Sequence, residues 1–271
     1  MDIQLISPRF NSTDLSNKTL SIQSLPDGFC FCIRNRAVKE DILALYLKKY
    51  RNSPESTLNR ILEEFPHLAS PELQTEFCVP ESLSTLIPFD LFDPRSIKIF
   101  GEKALGKITE AEDYHTDILQ EIKAVHLHIR PLLITDLLKE KYPALQTYHP
   151  LSPWIKHLLR KSRQPKETLI SVSLSSTHAC LAIHSGEKFT YFNHFAIDHP
   201  DSLLYYLLAV AKNLDILSQK PRLEIYCQRP EPPDLTVFSD YFCAFLIEPS
   251  FPEYLRVISL NPFLHLFKIY P

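Results

Sequence analysis

Apolar and polar residues follow each other along this chain in two rhythms, and the order of the rhythms is the same in both halves. Over residues 169–174, 179–184 and 189–197 they alternate with the period of a strand, and Gly186 falls in the turn between the last two. Asp198-His-Pro-Asp201 then offers caps for residues 203–211, apolar nearly all round, which predicts a helix packed on the sheet. Residues 223–227 predict a short strand, Asp234 opens a helix with Leu235, Phe238 and Phe242 on one face, and 244–247 predict a last strand. The order is βββαβαβ.

The first half repeats it. Strands are predicted at 20–25, 29–33 and 42–47, and Ser53-Pro54 caps a helix whose Leu58, Ile61, Leu62 and Phe65 keep helical spacing up to Pro66. Residues 76–79 predict the next strand. An irregular insertion near 80–112, holding Gly101 and Gly106, separates it from a strand at 125–129 and a helix that starts at Pro131 and carries Leu133, Leu137 and Leu138. Ser152-Pro153 caps a further helix, with Trp154, Ile155, Leu158 and Leu159, that leads across to the second half. The expected organisation is a first ribonuclease-H-like lobe over 1–150 and a second over 151–271.

Composition narrows what such a chain does. With 271 residues and 45% hydrophobic content, two cores can be filled. A formal charge of −3 gives no field to gather nucleic acid, and no apolar run reaches the ~18 residues of a membrane span. The start lacks a basic region followed by an apolar core, so a cytoplasmic protein is expected, its six cysteines reading as buried thiols without disulfides. Only four glycines are present, against the roughly nineteen that a usual ~7% share gives. Loops that press backbone N–H groups against phosphate need glycine for close approach and for positive φ. The twenty-two prolines punctuate helix starts.

A duplicated βββαβαβ lobe is the plan of the actin-like ATPase fold, an α/β fold with two lobes around a cleft. The segments Leu20-Ser-Ile-Gln-Ser-Leu-Pro-Asp-Gly-Phe29, Phe77-Cys-Val-Pro80, Phe192-Asn-His-Phe195 and Leu203-Leu-Tyr-Tyr-Leu-Leu208 resemble the Bacteroidetes family catalogued as domain of unknown function 3822. That resemblance implies an actin-like fold with no established activity. The chain is also distantly similar to pilus-assembly and secretion proteins of that fold, which act largely as scaffolds.

In nucleotide-using members of the fold, a carboxylate on the first strand of a lobe holds hydrated Mg²⁺ and a glycine-containing hairpin cradles phosphate. The corresponding positions fall at Gln23 and Ser173, and neither side chain neutralises a divalent cation. The hairpin candidates are Asp27 and Gly28 in the first lobe and Ser175, Ser176 and Thr177 in the second. Asp-Gly at a hairpin is a turn signal as well as a displaced carboxylate, and the hydroxyls serve a turn or an anion equally. The adenine site of the fold uses a paired-glycine loop, and nothing from Tyr226 onward contains glycine. No catalytic residue, metal ligand or cofactor is expected, with ATP and Mg²⁺ as the alternative.

Three further groupings have weaker chemistry. Cys30 and Cys32 share a strand face but lack the second pair of a zinc site. His126 and His128 share another face, half of a metal site without a third ligand. Lys156, Arg160, Lys161, Arg163 and Lys166 form one basic cluster that reads as a solvated face or a phosphate contact. The reading that emerges is a non-catalytic protein-interaction or scaffold component. The alternatives are a residual ATP binder or weak ATPase, and a nucleic-acid-associated factor.

Overall fold

A computed structural model of the chain describes residues 3–25, 28–37, 41–50, 53–161, 168–185, 188–199, 201–229 and 231–247. Its backbone is organised by two sheets. In the first, β2 (Lys18–Leu25), β3 (Gly28–Asn35) and β4 (Ile42–Lys49) form an antiparallel meander; β5 (Gln74–Cys78) and β9 (Gln146–Tyr148) follow in parallel, and the unpredicted β1 (Ile3–Ile6) pairs antiparallel with β4. In the second, β10 (Thr168–Leu174), β11 (His178–Ser185) and β12 (Lys188–Ala196) repeat the meander, and β13 (Arg222–Cys227) and β14 (Cys243–Leu246) add in parallel. Setting β1 aside, both sheets run in the order third, second, first, fourth, fifth strand. This is the duplicated ribonuclease-H-like lobe that the hydrophobic rhythm predicts.

Each sheet fills its core by alternation. Leu20 and Ile22 of β2 pack with Phe29, Phe31 and Phe77 under α1 (Pro54–Glu64), while Ile170, Val172, Leu181 and Ile225 pack under α5 (Ser202–Asn213). Helix α1 begins as its sequence predicts: Ser53 accepts from the Ser56 amide, Ser56 returns a bond to the Ser53 backbone, and Pro54 sits in the first turn. Helix α5 buries one face, through Leu203, Leu207 and Val210, and leaves Tyr205 68% exposed, so it is amphipathic rather than sunk in the core. The helix expected from Asp234 is a short 3-10 turn, Leu235–Phe238, capped by the Asp234 carboxylate accepting from the Thr236 amide. β14 begins at Cys243, so one tight turn suffices to bury Phe238 and Phe242.

The insertion has structure of its own. Strands β6 (Ser84–Pro88), β7 (Glu112–Leu119) and β8 (Ala124–Pro131) form a small antiparallel sheet with α2 (Ile97–Leu105) packed on it. The strand expected at 125–129 therefore belongs to this sheet, and the fifth strand of the first lobe is the three-residue β9, which lies beyond α3 (Leu132–Lys141). Helix α4 (Leu151–Lys161) follows directly. Its Ser152 does not act as a local cap; the first turn is held by Asp117 of β7, which accepts from the His149 amide at 2.7 Å and from the Ser152 hydroxyl. The buried Trp154, Ile155 and Leu158 lie against Cys180, Ala182 and Tyr226 on the second sheet.

The duplication extends to a buried charge. Ser21 of β2 stands beside Glu76 of β5, and Ser171 of β10 stands beside Glu224 of β13 at the same register. Glu76 accepts from Arg34 and Ser21, both at 2.6 Å, whereas Glu224, fully buried, is met at 2.9 Å by Lys161 of α4 and by Arg222. Replacing Arg34 by leucine removes the guanidinium that faces the buried Glu76 carboxylate and should cost about 3–5 kcal/mol in urea unfolding. The Arg34→Leu/Glu76→Leu double variant should recover most of that loss.

Candidate functional site

The cleft ends of the two first strands are where metal and phosphate chemistry is expected. Gln23 is half-buried with its Oε1 atom unpartnered, and Ser173 is buried with its hydroxyl accepting from Gln228 Nε2 at 2.9 Å. Gln228 follows β13, and its amide also donates to Glu81, which follows β5 in the other lobe. Burial of the Glu81 carboxyl outweighs this bond and pushes its pKa up to about 7. Glu81 as a residue is exposed, with protein crowded around its carboxyl end. Glu81, Gln228 and Ser173 thus form a polar clasp from lobe to lobe. Sequence reading missed Glu81 because it looked for a carboxylate on the first strand, whereas this one follows the fourth.

The expected hairpin residues are placed as follows. Asp27 lies outside the described residues. Gly28 is required by packing: a Cβ there would sit 2.1 Å from the Lys48 carbonyl oxygen. Ser175 is occupied within its turn, its amide and hydroxyl both donating to the His178 carbonyl, and the Thr177 hydroxyl pairs with His178 Nδ1 at 2.9 Å. Ser176 is exposed and lines a groove whose charged side chains are mostly carboxylates. Its neighbours are the wrong sign for an anion.

The remaining groupings resolve differently. Cys30 and Cys32 are free, buried thiols; burial pushes Cys30 well above its ordinary range and Cys32 up to about 12. Cys243, expected to be buried, is exposed because it opens the edge strand β14. Of the basic cluster, Arg163 and Lys166 lie outside the described residues, and Lys161 is committed to Glu224.

His126 and His128 are the grouping that the fold enlarges most. Both are fully buried on β8, and His149, also fully buried, lies with its ring 4.8 and 5.0 Å from theirs. His115 of β7 stands 5.5 Å from His128, and His194 of β12 reaches across from the second lobe to bond Ser84 of β6 at 2.8 Å. Hydrogen bonds fix three tautomers. Ser152 donates to Asp117, so its oxygen accepts from His126 Nδ1; His128 Nδ1 donates to the His126 carbonyl; His149 Nδ1 accepts from the Leu151 amide, leaving its Nε2 to donate to the Ser82 carbonyl. His126 and His128 therefore keep their Nε2 atoms as acceptors, and these have no hydrogen-bond partner among the described residues. Among the described residues, no group of three or more histidine, cysteine or carboxylate side chains is arranged to hold a metal ion. The density of histidine in 115–149 is the signal that could have found this joint.

Residues 7–239 match the family described as protein of unknown function (DUF3822), and the chain belongs to it. The fold is that of the actin-like ATPases. A Bacteroides thetaiotaomicron protein with actin-like ATPase fold and unknown function superimposes with a TM-score of 0.74 at 21% identity, covering 91% of this chain and 97% of that one. The PilM–PilN type IV pilus biogenesis complex contains a chain that superimposes with a TM-score of 0.51 at 10% identity, covering 94% of this chain and 97% of that one. Among curated proteins, none matches the sequence. No helix among the described residues is long and apolar enough to cross a membrane.

The histidine joint gives the chain a pH dependence. Burial lowers all five imidazoles: His115, His128 and His194 to about 4, His126 and His149 well below their ordinary value. The unfolded chain, with imidazoles near 6.5, binds more protons below that pH. Their contribution to stability is full above 6.5 and is lost as the pH falls from there through about 4. Glu81 and Asp117, whose carboxyls burial raises, work in the opposite sense, two groups against these five. Urea unfolding at about pH 5 should give a stability at least about 2 kcal/mol below that at pH 7.5, with a shallower slope in His194→Gln.

Proposed function

We propose that this chain is a pseudoenzyme: a two-lobed actin-like protein, with lobes over 1–150 and 151–271, that works as a protein-interaction or scaffold component without nucleotide chemistry. The observation that carries the reading is the cleft itself. At the positions where the fold presents Mg²⁺-holding carboxylates it has Gln23 and Ser173, and Ser173 is bonded to Gln228, which also reaches Glu81 of the opposite lobe. A triphosphate entering there would meet a carboxyl and the neutral Gln23, Ser173 and Gln228, while Gly28 of the first hairpin is taken up by packing against the Lys48 carbonyl.

A protein partner is favoured over nucleic acid. The chain is mildly acidic, and its basic cluster is depleted by the Lys161–Glu224 pair. A protein of similar fold occurs in the PilM–PilN type IV pilus biogenesis complex, an assembly rather than a reaction. Five buried cysteines that form no disulfide support a reducing compartment, and the cytoplasm is the location this reading gives.

Thermal unfolding with millimolar Mg-ATP and Mg-ADP tests the reading. A ligand at ~100 times its dissociation constant adds about 2.7 kcal/mol. The expected result is an unchanged melting temperature with either nucleotide; a rise of several degrees that Gln228→Ala or Ser173→Ala abolishes would return the chain to the nucleotide binders.

A further inference from the structure

A groove of about 620 Å³ opens in the second lobe at the C-terminal ends of the parallel strands β10 and β13. It runs between the β10–β11 hairpin, through Ser176, and the segment that leaves β13 at Arg229. In open α/β sheets ligands settle beyond these strand ends. Here the site has an apolar floor, including Leu174, Leu203 and Phe238, and an exposed apolar side chain, Val237, 48% accessible. Its charged lining is Asp198, Asp201, Glu231 and Asp234 against the single guanidinium of Arg229.

The four carboxylates are spread out rather than gathered. Asp198 accepts from the Ser202 hydroxyl before α5, Asp234 accepts from the Thr236 amide and hydroxyl, and Asp201 lies 3.5 Å from His199. They do not form a set that could hold a metal ion. An ion needs converging ligands, whereas a chain segment with spaced cations matches dispersed carboxylates one by one. The floor supplies what exposed ion pairs lack, since each pair is worth only ~0.2–1 kcal/mol and a buried aliphatic side chain about 1.5–3. Phosphate-bearing ligands are opposed by the same charges.

Resting on the interaction-protein reading above, we propose that this groove receives a segment of a protein partner in which lysine or arginine side chains flank an apolar residue. The acidic rim selects and orients the segment, and the floor around Leu174 and Phe238 buries its apolar side chain.

The test uses the full chain and a fluorescein-labelled octapeptide of alternating lysine and leucine, read by fluorescence polarisation. Saturable binding is expected that weakens between about 50 and 300 mM salt, with no binding of the glutamate–leucine counterpart. Asp201→Lys/Glu231→Lys should raise Kd by about tenfold or more, and Val237→Ser should weaken binding as well. Glu110→Lys/Glu121→Lys, which changes net charge equally away from the groove, should leave Kd within about twofold. Equal loss in both double variants, or no saturable binding, overturns the groove assignment. Such a failure with no response to Mg-ATP would leave the scaffold reading in place; stabilisation by Mg-ATP would remove both.

Discussion

The two lobes meet at a joint built from groups that must remain neutral. His126, His128 and His149 are fully buried, and the carboxylates near them among the described residues are already engaged, Asp113 by Arg130 and Asp117 by the first turn of α4. The price of burying a charge there is far larger than that of burying a hydrogen-bonded neutral ring. That constraint fixes the tautomers, ties the small sheet to α4 and, through Ser84 and His194, ties the small sheet to the second lobe. Helix α4 carries the connection onward: Trp154, Ile155 and Leu158 are each fully buried, Cys180 and Ala182 lie against the same helix, and Lys161 closes onto Glu224. What holds the lobes in register is this contact surface, independent of any ligand in the cleft.

The same independence shows inside each lobe. Ser21 with Glu76, and Ser171 with Glu224, occupy equivalent registers, so each lobe holds a buried carboxylate at the same place with a different counter-charge, Arg34 on a neighbouring strand in the first and Lys161 on the crossing helix in the second. Two residues further along, the positions that matter to nucleotide chemistry are Gln23 and Ser173. Each lobe thus has a carboxylate inside its sheet and a neutral side chain at its cleft position. Fold alone never settles activity.

Much of this was legible in the sequence. Alternation located both meanders, and Ser53-Pro54 located α1, because strand and cap signals are local. β9 escaped because three residues carry no readable period, and α4 was given the wrong cap because its true cap, Asp117, lies thirty-five positions away from Ser152. The strand at β8 is legible but its place in a separate sheet is not, since an apolar alternation does not say which edge it pairs with. His126 and His128 were visible as a pair, yet His149 and His194 join them only through tertiary structure. Glu81 was overlooked for a similar reason: its environment is made by Gln228 from the other lobe.

The most direct measurement of the central claim is phosphate release from Mg-ATP by the purified full chain, followed under multiple turnover and compared with Gln228→Ala. The account predicts no release above the buffer background for either protein. Steady turnover by the unaltered chain, lost when Gln228 is replaced, would contradict it and make the Glu81–Gln228–Ser173 clasp part of an active site.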